Sequence, residues 1–81
     1  MKVSVKVRLK SGILDPQGKA VNNALHHLGF HTIQDVRIGK LIEFKMAEKN
    51  RAEAEKKIEQ ACKKLLTNPI IEDYTYEINE E

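Results

Sequence analysis

The sequence has little of what small proteins use to reinforce their cores. It contains one cysteine, two prolines, no tryptophan and only 5% aromatic residues. A single cysteine excludes an internal disulfide and suggests a reducing compartment. With 81 residues, the chain forms one domain over residues 1–81, and a chain of this size buries only roughly 60–65% of its unfolded surface. Because burial against other chains is the remaining source of stability, we expect association.

The sequence also lacks an excess of one charge and any long apolar run. Fourteen basic and twelve acidic residues leave a net charge of +2, which is too small to indicate a nucleic-acid partner. No stretch is long and apolar enough for a membrane span, and no targeting segment is recognisable. We therefore expect a soluble, cytoplasmic protein without nucleic-acid or membrane partners.

Alternating and helical apolar patterns predict the secondary structure. Val3, Val5 and Val7 alternate with basic or polar residues, as in a half-buried strand. Asp15 can cap a helix that begins at Pro16 and stops at Gly29. Its apolar stripe is formed by five residues, Ala20, Val21, Ala24, Leu25 and Leu28.

After the first helix, the apolar patterns predict two strands, a second helix and a last strand. Strands are predicted over about residues 32–38 and 41–46, joined by the two-residue connection Gly39-Lys40, and over about residues 71–78. A helix capped by Asn50, with Glu53 three residues later, lies between the strands over about residues 41–46 and 71–78. Its apolar stripe consists of Ala54, Ile58, Ala61, Cys62 and Leu65.

The order β-α-β-β-α-β predicts an α+β fold. With right-handed crossovers it gives a two-layer, ferredoxin-like sandwich: a four-stranded antiparallel sheet with both helices on one face. The other face should be charged in both signs, and its predicted members are Lys6, Arg8, Arg37, Glu43, Lys45, Asp73 and Glu77. This open face and an edge strand are the expected self-association surface.

No catalytic or metal site is predicted. His26, His27 and His31 gather near the end of the first helix, but no acidic or sulfur ligand is fixed beside them. Cys62 falls on an apolar stripe, where burial makes a thiol unreactive. The architecture also suits an RNA-binding sheet, but the exposed positions of the first and third strands carry no aromatic residue on which a base could stack.

The segment Leu14-Asp15-Pro16-Gln17-Gly18 is only partly explained by helix initiation. Gly18 falls inside the first turn, where glycine costs about 0.5–1 kcal/mol relative to alanine. This cost indicates a close backbone approach at Gly18, either by another element of the chain or by a partner. An anion site at this helix start is disfavoured, because the Asp15 carboxylate would repel the anion.

Two further segments are more specific than a turn or a helix stop requires. Val36-Arg37-Ile38-Gly39-Lys40 places two cations around a predicted tight turn. Asn68-Pro69-Ile70-Ile71-Glu72-Asp73-Tyr74 joins the end of a helix to the start of a strand. Taken singly, each segment is explained by ordinary turn formation, edge protection or helix termination.

Together the three segments resemble the signature of the PurS family, the small subunit of phosphoribosylformylglycinamidine synthase. The resemblance covers essentially the whole chain. It implies a non-catalytic subunit that bridges an ATP-dependent synthetase of the PurL type and a glutaminase of the PurQ type and supports ammonia transfer in purine biosynthesis. It further implies a homodimer or higher homo-oligomer, with ATP and Mg bound by the synthetase and no cofactor in this chain.

The same resemblance suggests where partners bind. Asp15, Pro16, Gln17 and Gly18 are candidates for partner contact, and Arg37 and Lys40 for contacts with acidic groups of the synthetase or of a second copy. Glu72 and Asp73 are candidates for reciprocal charge pairing. The alternative is a stand-alone ferredoxin-like domain with a regulatory or RNA-associated binding role.

Overall fold

A three-stranded antiparallel sheet forms the centre of the protein in the computed structural model, which describes residues 1–80. The elements are β1 (Lys2–Leu9), α1 (Pro16–His27), β2 (Lys40–Lys45), α2 (Arg51–Ala61) and β3 (Glu72–Asn79). The strand order is β2-β1-β3, and both pairings are antiparallel. None of the helices within residues 1–80 combines the length and apolarity needed to cross a bilayer.

The core lies between β1 and α2, as the apolar patterns predict. Val3, Val5 and Val7 are fully buried and form a cluster with Ile58 and Cys62 of the facing helical segment. Asn50 caps α2, since its side-chain oxygen accepts from the amides of Ala52 and Glu53 at 2.8 and 3.3 Å. Burial of a Val or Ile side chain contributes about 1.5–3 kcal/mol, so this cluster is the main source of stability.

A π-helical turn over Cys62–Leu66 ends the second helix and corrects its predicted apolar stripe. The Thr67 amide donates to the carbonyl of Cys62 five residues earlier at 2.9 Å. This wider turn lowers the rotation per residue. Leu66 consequently packs against the core, whereas Leu65, predicted to face inward, is exposed.

The predicted strand over residues 32–38 is absent, so the sheet of this chain has three strands where four were expected, and the ferredoxin-like description is not confirmed. Asp35 adopts a left-handed conformation with φ of 56°, which interrupts an extended run. The Ile38 amide, which a neighbouring strand would use, donates instead to the Asp15 carboxylate. Gly39-Lys40 is accordingly not a hairpin turn. Gly39 lies close to β1, and a Cβ added at Gly39 would be 2.6 Å from the carbonyl oxygen of Val7.

Residues 16–38, which we call the arm, make up α1 and the segment that returns from it to β2. Gly29 ends the helix with φ of +99°, as predicted. The apolar stripe of α1, however, is not part of the core: its members are exposed except for the half-buried Leu25. The prediction that both helices cover one face of the sheet is therefore wrong.

The overall dimensions agree with this projecting arm. The radius of gyration is 16.2 Å and the Cα extents are 50 × 28 × 14 Å. A compact chain of this length has a radius of gyration of about 12 Å. A single copy thus leaves the apolar side of α1 without a cover.

Candidate docking surface

The three unusual sequence segments meet at one end of the sheet. Lys40 begins β2 opposite Val7, and Glu72 begins β3 opposite Leu9, the last residue of β1. Asp15 reaches the same end, where its carboxylate bonds the amide of Ile38. We call this surface, formed by residues 14–18, 36–40 and 68–73, the junction end.

Asp15 links the start of α1 to the returning side of the arm. One carboxylate oxygen accepts from the Gly18 amide at 2.8 Å, as the helix cap that the sequence predicts. The other oxygen accepts from the Ile38 amide at 2.8 Å. These two hydrogen bonds lower the pKa of the nearly buried carboxyl below its ordinary value, and the Arg37 guanidinium adds to the effect.

Gly18 meets another part of its own chain. A Cβ at this position would lie 2.3 Å from the Val36 carbonyl oxygen, closer than any Cβ contact tolerates. The close approach indicated by the sequence is therefore made by the returning segment of the arm. Gly18 is the one buried residue of α1.

Arg37 also turns inward along part of its length. Its guanidinium donates to the carbonyls of Lys10 and Ile13 at 3.3 and 3.1 Å and lies 4.0 Å from the Asp15 carboxylate. It is therefore not on the outer face of the sheet, where the four-strand arrangement would place it. Its contacts hold the loop after β1 against the end of the arm.

Glu72 fixes the loop that precedes β3. One carboxylate oxygen accepts from the Asn68 amide at 2.7 Å, and the other lies 3.5 Å from the Lys40 ammonium. Asn68 accepts from the Ile70 amide through its side chain and from the amides of Ile71 and Glu72 through its carbonyl. In the single chain, Glu72 thus forms its charge pair with Lys40 of the same chain.

Pro16, Gln17 and Asp73 remain exposed at or beside this end. Asp73 pairs in register with Arg8 and lines an open groove of about 880 Å³ between the loop after β1 and the arm. Three basic and three acidic residues line this groove: Arg8, Lys19, Arg37, Asp15, Asp35 and Asp73. Its mixed charge gives it no preference for an anion or a cation.

The histidines and the cysteine do not form a reactive centre. His26 Nε2 lies 2.7 Å from the Ile33 carbonyl and donates to it, and its ring meets His31 edge-on at 6.0 Å. Burial raises the pKa of the Cys62 thiol, which disfavours the nucleophilic thiolate. Within residues 1–80 no three His, Cys, Asp or Glu side chains are grouped so that they could hold a metal ion.

Sequence reasoning overlooked the apolar residues of the same segments. Leu14 and Ile70 are largely exposed, although Leu14 precedes Asp15 and Ile70 lies two residues after Asn68, and both of these side chains bond within the chain. Leu14 and Ile70 could have been singled out because they lie within the unusual segments 14–18 and 68–74. The polar side chains of Asp15, Arg37 and Glu72 bond to groups of the same chain, whereas these aliphatic side chains are left at the surface.

Sequence comparison identifies relatives along almost the whole chain. The model of the PurS family, phosphoribosylformylglycinamidine (FGAM) synthase, matches residues 2–80. The phosphoribosylformylglycinamidine synthase subunit PurS of Bacillus subtilis is 48% identical over 79 residues, which cover 98% of this chain and 93% of that protein.

Solved structures of relatives agree with the fold. PurS from Methanocaldococcus jannaschii, one of the subunits of formylglycinamide ribonucleotide amidotransferase in the purine biosynthetic pathway, is 38% identical and superposes with a TM-score of 0.87 over 99% of this chain and 96% of that chain. A chain in the structure of PurLQS from Thermotoga maritima is 28% identical, with a TM-score of 0.86 over 94% of this chain and 93% of that chain.

Proposed function

The chain belongs to the PurS family of FGAM synthase subunits, and we propose that it is the non-catalytic assembly subunit of that enzyme in purine biosynthesis. In this role it bridges an ATP-dependent synthetase of the PurL type and a glutaminase of the PurQ type. The observation that carries the proposal is its likeness, over nearly full length, to a chain in the PurLQS structure. The complex is cytoplasmic in this proposal.

The chemistry of the reaction is divided among the other subunits. The glutaminase releases ammonia from glutamine. The synthetase, which binds ATP and Mg, activates the amide oxygen of formylglycinamide ribonucleotide, and ammonia displaces it to give the amidine. This chain supplies no cofactor; it holds the two enzymes in register so that ammonia passes between them.

The junction end is the proposed contact with these subunits. Pro16, Gln17, Lys40 and Asp73 are exposed there and can meet a partner directly, and Arg37 is partly exposed. Asp15, Gly18 and Glu72 support this surface from within, through the contacts to Ile38, Val36 and Asn68. A surface whose polar groups are already fixed loses little conformational entropy when a partner binds.

The arm is the proposed contact between copies of the chain. The apolar stripe of α1 has a helical period but no cover within the chain, and such a stripe is stable in water only when it is buried. A second copy supplies the same stripe, as in a two-fold symmetric interface. The chain therefore acts as a homodimer or a higher homo-oligomer.

Co-purification tests the assembly role. A tagged form of the chain, expressed in its native host, should recover the synthetase and the glutaminase together. Recovery of the chain with neither enzyme would contradict the proposal and favour a stand-alone regulatory or RNA-associated domain. Affinity for RNA that falls steeply with salt would identify the latter.

A further inference from the structure

Each of the three segments of the junction end exposes one aliphatic side chain. Leu14 is 72% exposed, Ile38 is 36% exposed and Ile70 is 80% exposed. Each is next to, or within two residues of, a polar residue that bonds within the chain: Asp15, Arg37 and Glu72. The polar groups are thus directed inward, and the aliphatic groups are left at the surface.

The loop that carries Ile70 is tied by hydrogen bonds within the chain. The Ile70 amide donates to the Asn68 side chain at 3.2 Å, and the Glu72 amide donates to the Asn68 carbonyl at 2.7 Å. The Ile71 carbonyl accepts from the Lys10 amide at 2.8 Å, which fastens the loop to the end of β1. An exposed aliphatic side chain on such a loop has the properties of an interface anchor, because the backbone that carries it does not have to be ordered when a partner binds.

The exposed charges of the junction end are two cations, Arg37 and Lys40, and one carboxylate, Asp73. In the Lys40–Glu72 pair the lysine side chain is 61% exposed and the glutamate side chain 12%. In the Arg37–Asp15 pair the arginine is likewise the exposed partner. Two copies joined through this end would together expose four cations against two carboxylates, and this excess of like charge disfavours self-association here.

We propose that Leu14, Ile38 and Ile70, one from each segment of the junction end, are anchors that enter apolar sites bordered by carboxylates on a protein that is not a copy of this chain. This inference rests on the proposed function and adds the kind of contact made. The apolar side chains supply the affinity, and Arg37 and Lys40 supply orientation toward the acidic border. Asp15 and Glu72, whose side chains are mostly buried, shape the surface from within.

The test separates binding to the enzymes from binding between copies. Ile70→Ser and Leu14→Ser are compared with the wild-type chain for affinity to the purified synthetase and glutaminase, and for self-association by light scattering. We expect each variant to bind the enzymes at least about tenfold more weakly. Self-association and the thermal unfolding midpoint should stay at wild-type values, because both side chains are exposed.

The matched variant is Leu28→Ser, at an equally exposed leucine on the tip of the arm. It should weaken self-association, which the junction-end variants leave intact. Unchanged affinity of both Ile70→Ser and Leu14→Ser for the enzymes would overturn the inference, as would a parallel loss of both kinds of assembly. If the wild-type chain itself binds neither enzyme, the proposed function fails instead.

Discussion

At the scale of single residues, Asp15 joins two parts of the chain that are 23 positions apart. Its carboxylate accepts from Gly18 at the start of α1 and from Ile38 at the end of the arm. Both hydrogen bonds favour the ionised form, so folding lowers the pKa of this carboxyl. The contact is therefore sensitive to acid.

The first prediction is a pH dependence that belongs to Asp15. Its stabilising contribution is fully present above the ordinary carboxyl pKa of 3.8 and is lost as the pH falls through the lower, folded-state pKa. Asp15→Asn should lower the urea midpoint of unfolding at neutral pH. It should also make the free energy of unfolding fall less steeply as the pH is lowered from neutral into the acid range, measured by urea unfolding at each pH. Asp73→Asn removes an exposed carboxylate nearby and should alter the slope less; equal slopes for both variants would contradict the account.

The second prediction concerns Gly18. By helix propensity alone, alanine should stabilise this position by about 1 kcal/mol. Because its Cβ would meet the Val36 carbonyl at 2.3 Å, we expect the opposite sign, a loss of about 1–3 kcal/mol in the free energy of unfolding. Lys19→Ala at the neighbouring exposed position is the control for propensity. Gly18→Ala with undiminished stability in urea would show that the arm does not press on α1.

At the scale of elements, the end of the second helix depends on one turn. An α-helical continuation would turn Leu65 toward the core, whereas the π-helical turn brings in Leu66. The Cys62 carbonyl accepts from both the amide and the hydroxyl of Thr67, each at 2.9 Å, which closes this turn.

The third prediction is a difference between adjacent leucines. Leu66→Ala should lower the free energy of unfolding by about 1–2 kcal/mol, because it empties a partly buried position against the core. Leu65→Ala should change it by less than about 0.5 kcal/mol, since the side chain is exposed. Chemical denaturation of the two variants measures the difference, and a larger effect at Leu65 would indicate a regular α-helix.

Local patterns determine how much of these elements the sequence can predict. β1 and α2 are predictable because their periodicity matches the face that they bury. The segment 32–38 is not, because periodicity cannot reveal that the Ile38 amide is bonded by a side chain from residue 15. The stripe on α1 correctly indicates a helix with an apolar side, but it does not indicate which chain will cover that side.

The candidate surface was predictable in the same partial way. The sequence marked the three segments and left two explanations for Gly18, another element or a partner. Their meeting at one end of the sheet depends on strand pairing, and the internal use of Asp15 and Glu72 depends on contacts over a distance in the fold. The partner-binding roles of the eight residues remain predictions.

At the scale of the whole molecule, the fold is more extended than a compact chain of the same number of residues would be. The arm accounts for this shape, and its exposed apolar side is the basis for the proposed contact with a second copy. In the proposed arrangement one region of the chain contacts a second copy and another contacts the enzymes. The two regions can then be altered separately.

The fourth prediction tests this separation from the side of the arm. Leu28→Ser removes a 74% exposed aliphatic side chain from the arm tip and should shift the homo-oligomer toward smaller species. Sedimentation velocity over a range of concentrations measures the shift. The fold should be unchanged by circular dichroism, because Leu28 makes no contribution to the core cluster. A wild-type sedimentation profile would place the contact between copies elsewhere.

The most direct test of the central claim is the synthesis of the amidine by purified synthetase and glutaminase with and without this chain. Omitting the chain should greatly reduce the rate with glutamine as nitrogen donor and reduce the rate with free ammonia much less, because free ammonia needs no transfer between subunits. Full activity with glutamine in the absence of the chain would contradict its role as the bridge.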